Sequence, residues 1–153
     1  MNPPAGQTVD YLRLSVTDRC NFRCVYCMPP GGVQFKSHDE ILGYEDMVFF
    51  VRAATELGFS KIRITGGEPL VRRGIPELVG LIRRLPGIRD IALTTNGVLL
   101  PRFARELKAQ GLNRVNISLD SLDSERYHRL TRCGRLDSAL AGVEAAFAHY
   151  LQP

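Results

Sequence analysis

The chain has 153 residues, which is the length of one ordinary domain and is enough to bury a core of its own. Hydrophobic residues make up 44% of it and charged residues 24%, a composition typical of globular proteins and not of disordered or fibrous ones. The net charge of +4 is mild and dispersed, so it argues against nucleic acid as a partner but permits an anionic small molecule.

The N-terminal residues lack the basic-then-apolar pattern of a signal peptide, and no apolar run approaches the length of a membrane span. We therefore expect a cytoplasmic protein that contacts no membrane, in a compartment where thiols stay reduced and available to metal. The arginine pairs at 72–73 and 83–84 are interpreted as solvated surface and not as a binding stripe.

Patterns typical of strands and helices alternate four times along the chain. Residues 1–10 are predicted to form a flexible arm, and residues 11–153 a single core domain. The predicted strands, which alternate or concentrate apolar residues, are 11–17, 61–65, 91–95 and 114–119. The predicted helices, with apolar residues at helical spacing, are 44–57, 76–85, 102–109 and 136–150, with a short helical turn at 123–131.

Such alternation with short connections is typical of parallel βα units, and four units do not close a barrel. We therefore predict an α/β fold of the partial (βα) barrel type. Ligand sites in such folds lie at the carboxyl ends of the strands, where loops of different units converge. An unusual motif follows each predicted strand: a cysteine-containing segment at 18–29, Gly66-Gly67-Glu68-Pro69, Thr94-Thr95-Asn96-Gly97, and Ser118-Leu119-Asp120.

The first of these motifs holds three cysteines within eight residues. Cys20, Cys24 and Cys27 have the spacing C-x3-C-x2-C. Three thiolates on one loop can hold a cube of iron and sulfide through three corners, whereas a fully ligated cluster needs four cysteines. The fourth iron would then be open to a ligand that the protein does not supply.

Two other interpretations of the cysteines stay open at this point. A tetrahedral zinc site would need a fourth ligand from His38, His128 or Cys133. Typical zinc sites use two well-separated cysteine pairs, and this chain has a single cysteine cluster. Disulfides are disfavoured because nothing else in the sequence indicates export.

Tyr26 stands directly before the last cysteine, and the Gly-Gly-Glu-Pro motif comes one βα unit later. This combination resembles the signature of the radical S-adenosylmethionine (radical SAM) family. The resemblance implies that the amino and carboxylate groups of SAM bind the open iron and that one electron cleaves SAM to a 5′-deoxyadenosyl radical. It also implies a core of about six βα units. We therefore interpret the chain as the N-terminal two-thirds of such a core.

Within that family the resemblance is to the GTP 3′,8-cyclases (the MoaA family) of molybdenum cofactor biosynthesis. It covers the chain from Tyr11 onward in order and spacing. The segments that carry it are 12–24, 26–29, 61–70, 93–97 and 115–123. The resemblance implies that GTP is the substrate, that hydrogen is abstracted from C3′ of its ribose, and that C3′ then attacks C8 of guanine.

The same resemblance assigns nine binding residues: Cys20, Cys24 and Cys27 for a 4Fe–4S cluster, Tyr26, Gly67 and Ser118 for SAM, and Arg13, Arg63 and Thr94 for GTP. The two arginines interrupt otherwise apolar strands, where a buried guanidinium needs a partner, and a triphosphate offers oxygens that arginine binds well. Two alternatives remain for these arginines, which are pairing with a carboxylate and exposure to solvent. Turn or capping roles remain alternatives for Thr94 and Ser118.

The GTP cyclase family also has a C-terminal half with a second 4Fe–4S cluster, and this chain has no ligands for that cluster. Cys133 is a lone thiol and is interpreted as an incidental loop residue. The first hypothesis is a GTP-cyclising enzyme that depends on the missing half and on an electron donor. The alternatives are a non-catalytic fragment that binds the cluster and SAM, a radical SAM enzyme with another substrate, and a zinc module. An open sheet edge after strand four predicts self-association or a complementing C-terminal polypeptide.

Overall fold

The computed structural model describes residues 9–152, apart from the side chain of His38, one of the candidate zinc ligands. The strands are β1 (Tyr11–Ser15), β2 (Lys61–Thr65), β3 (Asp90–Thr95) and β4 (Arg114–Ile117). The helices are α1 (Tyr44–Glu56), α2 (Ile75–Arg83), α3 (Leu100–Ala109), α4 (Ser124–Thr131) and α5 (Leu136–Ala148), with short 3₁₀ helices at His38–Glu40 and Pro69–Val71. Most of the predicted flexible arm lies outside the described residues.

The four strands form one parallel sheet in the order β1-β2-β3-β4. A parallel neighbour needs a crossover connection, and here each crossover contains a helix, as in βα units. The predicted α/β class and the four βα units are therefore confirmed, and the sheet has the strand order of a partial barrel.

Most of the buried apolar side chains lie on one face of this sheet, and we call this set the main core. From the strands it includes Leu14, Ile62, Ile64, Ile91, Leu93 and Val115. From α1, α2, α3 and α5 it includes Met47, Val51, Leu78, Ile82, Leu100, Leu107 and Ala146. Neighbouring residues of a strand point to opposite faces of the sheet. The strand residues that alternate with these core positions therefore lie on the other face, which we call the open face.

Two predicted strands are shorter than expected. The β1 strand ends at Ser15, although the Val16 amide still donates to the Thr65 carbonyl at 2.9 Å. Thr17, which was predicted to be the last strand residue, accepts instead from the Gly67 amide at 2.7 Å. The chain leaves the sheet at this point, because the turn after β2 replaces the neighbouring strand. The β4 strand likewise ends at Ile117 and not at Leu119.

The prediction that both arginine pairs are solvated was wrong for one member of each pair. Arg72 donates to the Leu42 carbonyl at 2.8 Å and lies over the Tyr44 ring, 4.4 Å from its centroid. Arg83 donates to the Gly111 carbonyl at 2.8 Å. Both guanidinium groups are thus held by loop carbonyls, and the aliphatic part of an arginine can lie along apolar surface while its charged end binds elsewhere.

The outer edge of β4 is partly occupied. The Val115 amide donates to the Leu151 carbonyl at 2.7 Å, and the Leu151 side chain is fully buried. The edge that was predicted to be open is therefore paired at this position. Within residues 9–152, no helix has both the length and the apolar character that crossing a membrane requires.

Candidate functional site

The three cysteines lie on the segment that follows β1, at the carboxyl edge of the sheet. We call residues 20–28 the cysteine loop. Its turn is closed by the amides of Cys27 and Met28, which both donate to the Cys24 carbonyl at 3.0 Å. Cys20 and Cys24 are half-buried and Cys27 is exposed, and none of the three forms a disulfide. The thiols are therefore available as ligands.

Burial raises the pKa of the Cys20 and Cys24 thiols above the usual value, and the charge of Glu68 adds to this effect at Cys20. A thiolate at these positions needs a nearby positive centre, and an iron–sulfur cluster provides one. Sulfur-only ligand sets are those that such clusters prefer. In the part of the chain that the structure describes, no three His, Cys, Asp or Glu side chains converge on a position for a single metal ion.

The carboxyl end of α4 holds the cysteine loop from one side. The amide of Val25 donates to the Leu130 carbonyl at 2.9 Å. The guanidinium of Arg132 donates to the carbonyls of Arg23 and Met28 at 2.9 and 2.6 Å. This role of Arg132 had no signal in the sequence, because its partners lie more than a hundred residues away.

Cys133, which was interpreted as an incidental loop residue, is exposed but lies beside the same loop. Its thiol is 3.5 Å from the Asn21 carbonyl. Cys133 lies far from the other cysteines in the sequence, so its contact with the cysteine loop was not predictable. That the residue is incidental stays a prediction.

A second group of buried side chains, separate from the main core, is formed by the cysteine loop together with α4 and α5. It consists of Phe22, Tyr127 and Ala139, against which Cys20 and Cys24 pack. We call these residues the small cluster. The rings of Phe22 and Tyr127 meet edge to face, with centroids 6.3 Å apart. This geometry is a favourable one for aromatic pairs.

The Gly-Gly-Glu-Pro motif packs against the chain that leads into the cysteine loop. A Cβ atom on Gly67 would lie 2.3 Å from the Arg19 carbonyl oxygen, and one on Gly66 would lie 2.5 Å from that of Thr17. The Glu68 amide donates to the Arg19 carbonyl at 2.8 Å. Both glycines therefore leave room for the protein's own backbone, and this includes Gly67, which was predicted to bind SAM.

Glu68 is 1% exposed and connects the ends of two strands. Its carboxylate accepts from the Thr95 hydroxyl and the Asn96 amide, both at 2.8 Å, and from the Leu70 amide at 3.1 Å. Burial raises the pKa of this carboxyl despite these donors. The Asn96 side-chain amide then donates to Asn21 Oδ1 at 2.8 Å, which ties the cysteine loop to the end of β3.

The residues predicted to bind SAM come to the same edge of the sheet. Tyr26 lies in the cysteine loop, Gly67 follows β2 and Ser118 follows β4. The Tyr26 hydroxyl donates to Asp120 Oδ2 at 2.6 Å, and burial together with this carboxylate raises the pKa of the phenol. Asp120 therefore links the cysteine loop to the end of β4.

The residues predicted to bind GTP lie on the open face. Arg13 and Arg63 are register partners in β1 and β2, so they point to the same side. Thr94 lies two residues after Ala92, the register partner of Arg63, and therefore points to that side as well. Its own register partner is Asn116, which the sequence did not single out.

Among the described residues, three buried polar atoms on the open face have no hydrogen-bond partner: Arg63 Nε, Asp90 Oδ2 and Asn116 Oδ1. Arg114 on the same face pairs with Asp90. Among the described residues neither Arg13 nor Arg63 has an ion pair, so the alternative of carboxylate pairing does not hold for these two. The alternative of solvent exposure does hold for Arg13, whereas Arg63 is half-buried. The Arg63 guanidinium lies 5.3 Å from the centroid of the Tyr11 ring.

Comparison with known proteins agrees with this geometry. Residues 14–152 match the model of the radical SAM superfamily. The chain belongs to this superfamily. Among solved structures, HydG, a maturase of the [FeFe]-hydrogenase, aligns with a TM-score of 0.75 over 92% of this chain and 33% of HydG, at 18% identity. SuiB from Streptococcus suis aligns with a TM-score of 0.73 over 88% of this chain and 29% of SuiB, at 22% identity. At this level of identity the two similarities show a shared fold and nothing about function.

Relatives in sequence extend the comparison. A GTP 3′,8-cyclase from Petrotoga mobilis is 55% identical over 97% of this chain and 46% of its own length. One from Heliobacterium modesticaldum is 54% identical over 97% of this chain and 45% of its own length. The radical SAM chain described here thus spans about half the length of these relatives.

Membership of the radical SAM superfamily implies a 4Fe–4S cluster and SAM as cofactors. The residues present fit such a cluster on two observations. The cysteine loop offers three free thiols at one edge of the sheet. Next to this loop, the buried Tyr127 hydroxyl has no hydrogen-bond partner within the part of the chain that the structure describes.

Proposed function

We propose that this chain binds one 4Fe–4S cluster through Cys20, Cys24 and Cys27 and uses it with SAM in the cyclisation of GTP between C3′ and C8. This is the first step of molybdopterin biosynthesis. The observation that carries the choice of substrate is the unpaired Arg63 guanidinium beside Arg13 on the open face. The identity of about half to the GTP 3′,8-cyclases over nearly the whole chain supports the same choice.

In this proposal Arg13 and Arg63 bind the triphosphate of GTP, because two adjacent guanidinium groups without carboxylate partners match its charge and geometry. Thr94 fixes the nucleotide from the next strand, and Tyr26, Gly67 and Ser118 bind SAM. When bound, the cluster and SAM supply a radical that abstracts hydrogen. The chain's own residues hold C3′ of the ribose near that radical and keep competing hydrogen donors away.

Several parts of the proposal concern partners. An external one-electron donor is required to reduce the cluster. Complete cyclisation is assigned to this chain together with the part of the relatives that it does not span, which is proposed to hold the second 4Fe–4S cluster. A complementing polypeptide or a second copy of the chain is the proposed partner at the β4 edge. The proposed compartment is the cytoplasm, with no nucleic acid or membrane partner.

Anaerobic reconstitution with iron and sulfide tests the cluster, read by electron paramagnetic resonance (EPR) of the reduced chain. We expect a four-iron signal that changes when SAM is added. Cys24→Ala should abolish the signal. The matched control is Cys133→Ala, a thiol outside the C-x3-C-x2-C motif, which should keep it. Stoichiometric zinc without a four-iron signal would reject the proposal in favour of a zinc module.

Calorimetric titration of the reconstituted chain with GTP tests the substrate. Loss of charged hydrogen bonds in Arg63→Ala should weaken GTP binding by about 10- to 100-fold. Arg84→Ala, which removes an exposed arginine at the carboxyl end of α2, should leave binding unchanged. Equal binding by both variants would favour a radical SAM enzyme with another substrate. GTP binding and SAM cleavage without a cyclised product would favour the non-catalytic fragment.

A further inference from the structure

The small cluster contains a buried hydroxyl without a hydrogen-bond partner among the described residues. This hydroxyl belongs to Tyr127, which is 0% exposed. Two tyrosine hydroxyls elsewhere do have partners: Tyr44 donates to the Arg73 carbonyl, and Tyr26 donates to Asp120. A buried donor without an acceptor is unfavourable, so its presence indicates an acceptor that the protein chain does not contribute.

The surroundings of Tyr127 identify that acceptor by its chemistry. The ring packs in the small cluster, against which Cys20 and Cys24 also pack. A tyrosine hydroxyl is protonated at neutral pH and can donate a hydrogen bond. This hydroxyl belongs to the same small cluster against which two of the proposed cluster ligands, Cys20 and Cys24, pack.

We propose that the Tyr127 hydroxyl donates a hydrogen bond to a sulfur of the bound cluster, on the side held by Cys20 and Cys24, and thereby raises the reduction potential of the cluster. This proposal rests on the proposed function, because it requires the cluster. The phenol supplies the proton of the hydrogen bond, and the acceptor is the thiolate of Cys20 or Cys24 or a sulfide beside them.

The direction of the effect follows from charge. Reduction adds one electron to the cluster and moves no proton, so its sulfurs become more negative and accept hydrogen bonds more strongly. A hydrogen-bond donor to these sulfurs therefore stabilises the reduced form more than the oxidised form. Hydrogen bonds to the sulfurs are one of the factors that set cluster potentials. The electron comes from the external one-electron donor of the proposed function.

The test is Tyr127→Phe, which removes only the hydroxyl. In an EPR-monitored redox titration the variant's potential should be more negative. At a fixed solution potential the ratio of reduced to oxidised cluster should fall about fivefold in the variant, which is the effect of one typical hydrogen bond. Pulsed EPR of the reduced native protein exchanged into D₂O should show a deuterium coupling that the variant lacks. Because the native hydroxyl is unsatisfied without a cluster, the cluster-free variant should be as stable as the native chain or more stable.

The matched control is Tyr44→Phe, which removes a hydroxyl that does have a partner, the Arg73 carbonyl, outside the small cluster. It should lower the stability of the cluster-free chain and leave the cluster potential unchanged. An unaltered potential together with an unaltered deuterium coupling in Tyr127→Phe would overturn the proposal while the proposed function stands. A native chain that forms no four-iron cluster would overturn both.

Discussion

The main core and the small cluster are both buried, but they differ in what they contain. The main core consists of apolar side chains from four strands and four helices, and Ile62, Ile64 and Leu93 are fully buried in it. The small cluster has three buried residues, one with an unsatisfied hydroxyl, and two half-buried cysteines at its edge. The main core can be explained by stability alone, whereas the small cluster retains polar groups that stability does not require.

The two regions also differ in what holds them. The main core is held by buried apolar area, which is large and does not depend on direction. The cysteine loop, which contributes Phe22 to the small cluster, is held by a few directed hydrogen bonds, from Arg132, Asn96 and the backbone at 130–131. Regions held in this way open locally at lower free energy than the core of a fold. Ligand-binding loops are commonly of this kind.

The largest expected effect is a loss of stability from a substitution in the main core. Ile64→Ala should lower the free energy of unfolding by about 2–5 kcal/mol, because it removes a fully buried side chain and leaves a cavity. Urea denaturation of the cluster-free chain measures this loss. Leu57→Ala is the control, since Leu57 is 79% exposed and its loss should change little. A loss of stability no larger than that of the small-cluster variants would contradict the view that the main core contributes most of the stability.

The next effect concerns the hydrogen bond between Asn96 and Asn21. Asn21→Leu leaves the buried Asn96 amide without its acceptor and should cost about 1–3 kcal/mol. Asn21→Asp keeps an acceptor at the same position and should restore most of the loss. The measurements are urea denaturation and the iron bound per chain after reconstitution.

Asn113→Leu is the matched control for the Asn21 pair. Asn113 Oδ1 accepts from the Ile91 amide at 2.8 Å, at the opposite edge of the sheet. We expect this variant to be destabilised but to bind iron normally. Equal iron loss in all three variants would show that the Asn21 contact has no special relation to the cysteine loop.

A smaller effect is expected inside the small cluster. Phe22→Leu keeps an apolar side chain but removes the edge-to-face contact with Tyr127, and should cost about 1 kcal/mol. Faster hydrogen exchange of the amides in residues 20–28, with little change in the exchange of β2 and β3, would confirm that the loop opens separately. Uniformly faster exchange would mean that the two regions unfold as one.

The smallest expected effect on stability comes from an exposed ion pair outside both regions. Arg135 holds the pKa of Asp137 near the start of α5 at about 2, below its usual 3.8. The lowered value means that this pair contributes stability above pH 3.8 and loses it as the pH falls through about 2. The difference in stability between the native chain and Asp137→Asn should be small at pH 6 and smaller still at pH 2 in urea denaturation. A difference as large at pH 2 as at pH 6 would contradict the assignment.

The fold was largely predictable because its signals are local. Apolar alternation located each strand, and glycine or proline located the helix ends, as with Gly58 after α1. The motifs at the strand ends indicated one edge of the sheet as the site, and the family match agrees with that prediction. The strand errors lie at 15–17 and 117–119, where the chain leaves the sheet for the site.

The contacts that support the site were not predictable, because each joins residues far apart in sequence. Asn96 belongs to an Asn-Gly pair that is also a routine turn, so its contact with Asn21 was hidden. Arg132 and Tyr127 lie on or beside a helix that gave only a weak periodic signal. Asp120 was the exception, since its position two residues after Ser118 placed it at the site. The roles of the nine assigned binding residues stay predictions. The structure shows that these residues lie on the strands of one sheet or on the segments that follow them.

The register of β1 and β2 makes folding and ligand binding respond oppositely to ionic strength. It places Arg13 and Arg63 side by side, on neighbouring strands about 4.8 Å apart. Without an anion the two positive charges repel each other, and added salt screens that repulsion because the Debye length falls from about 10 Å at 0.1 M to about 3 Å at 1 M. The same screening weakens attraction of a polyphosphate. A salt series would therefore stabilise the free chain while it loosens the complex.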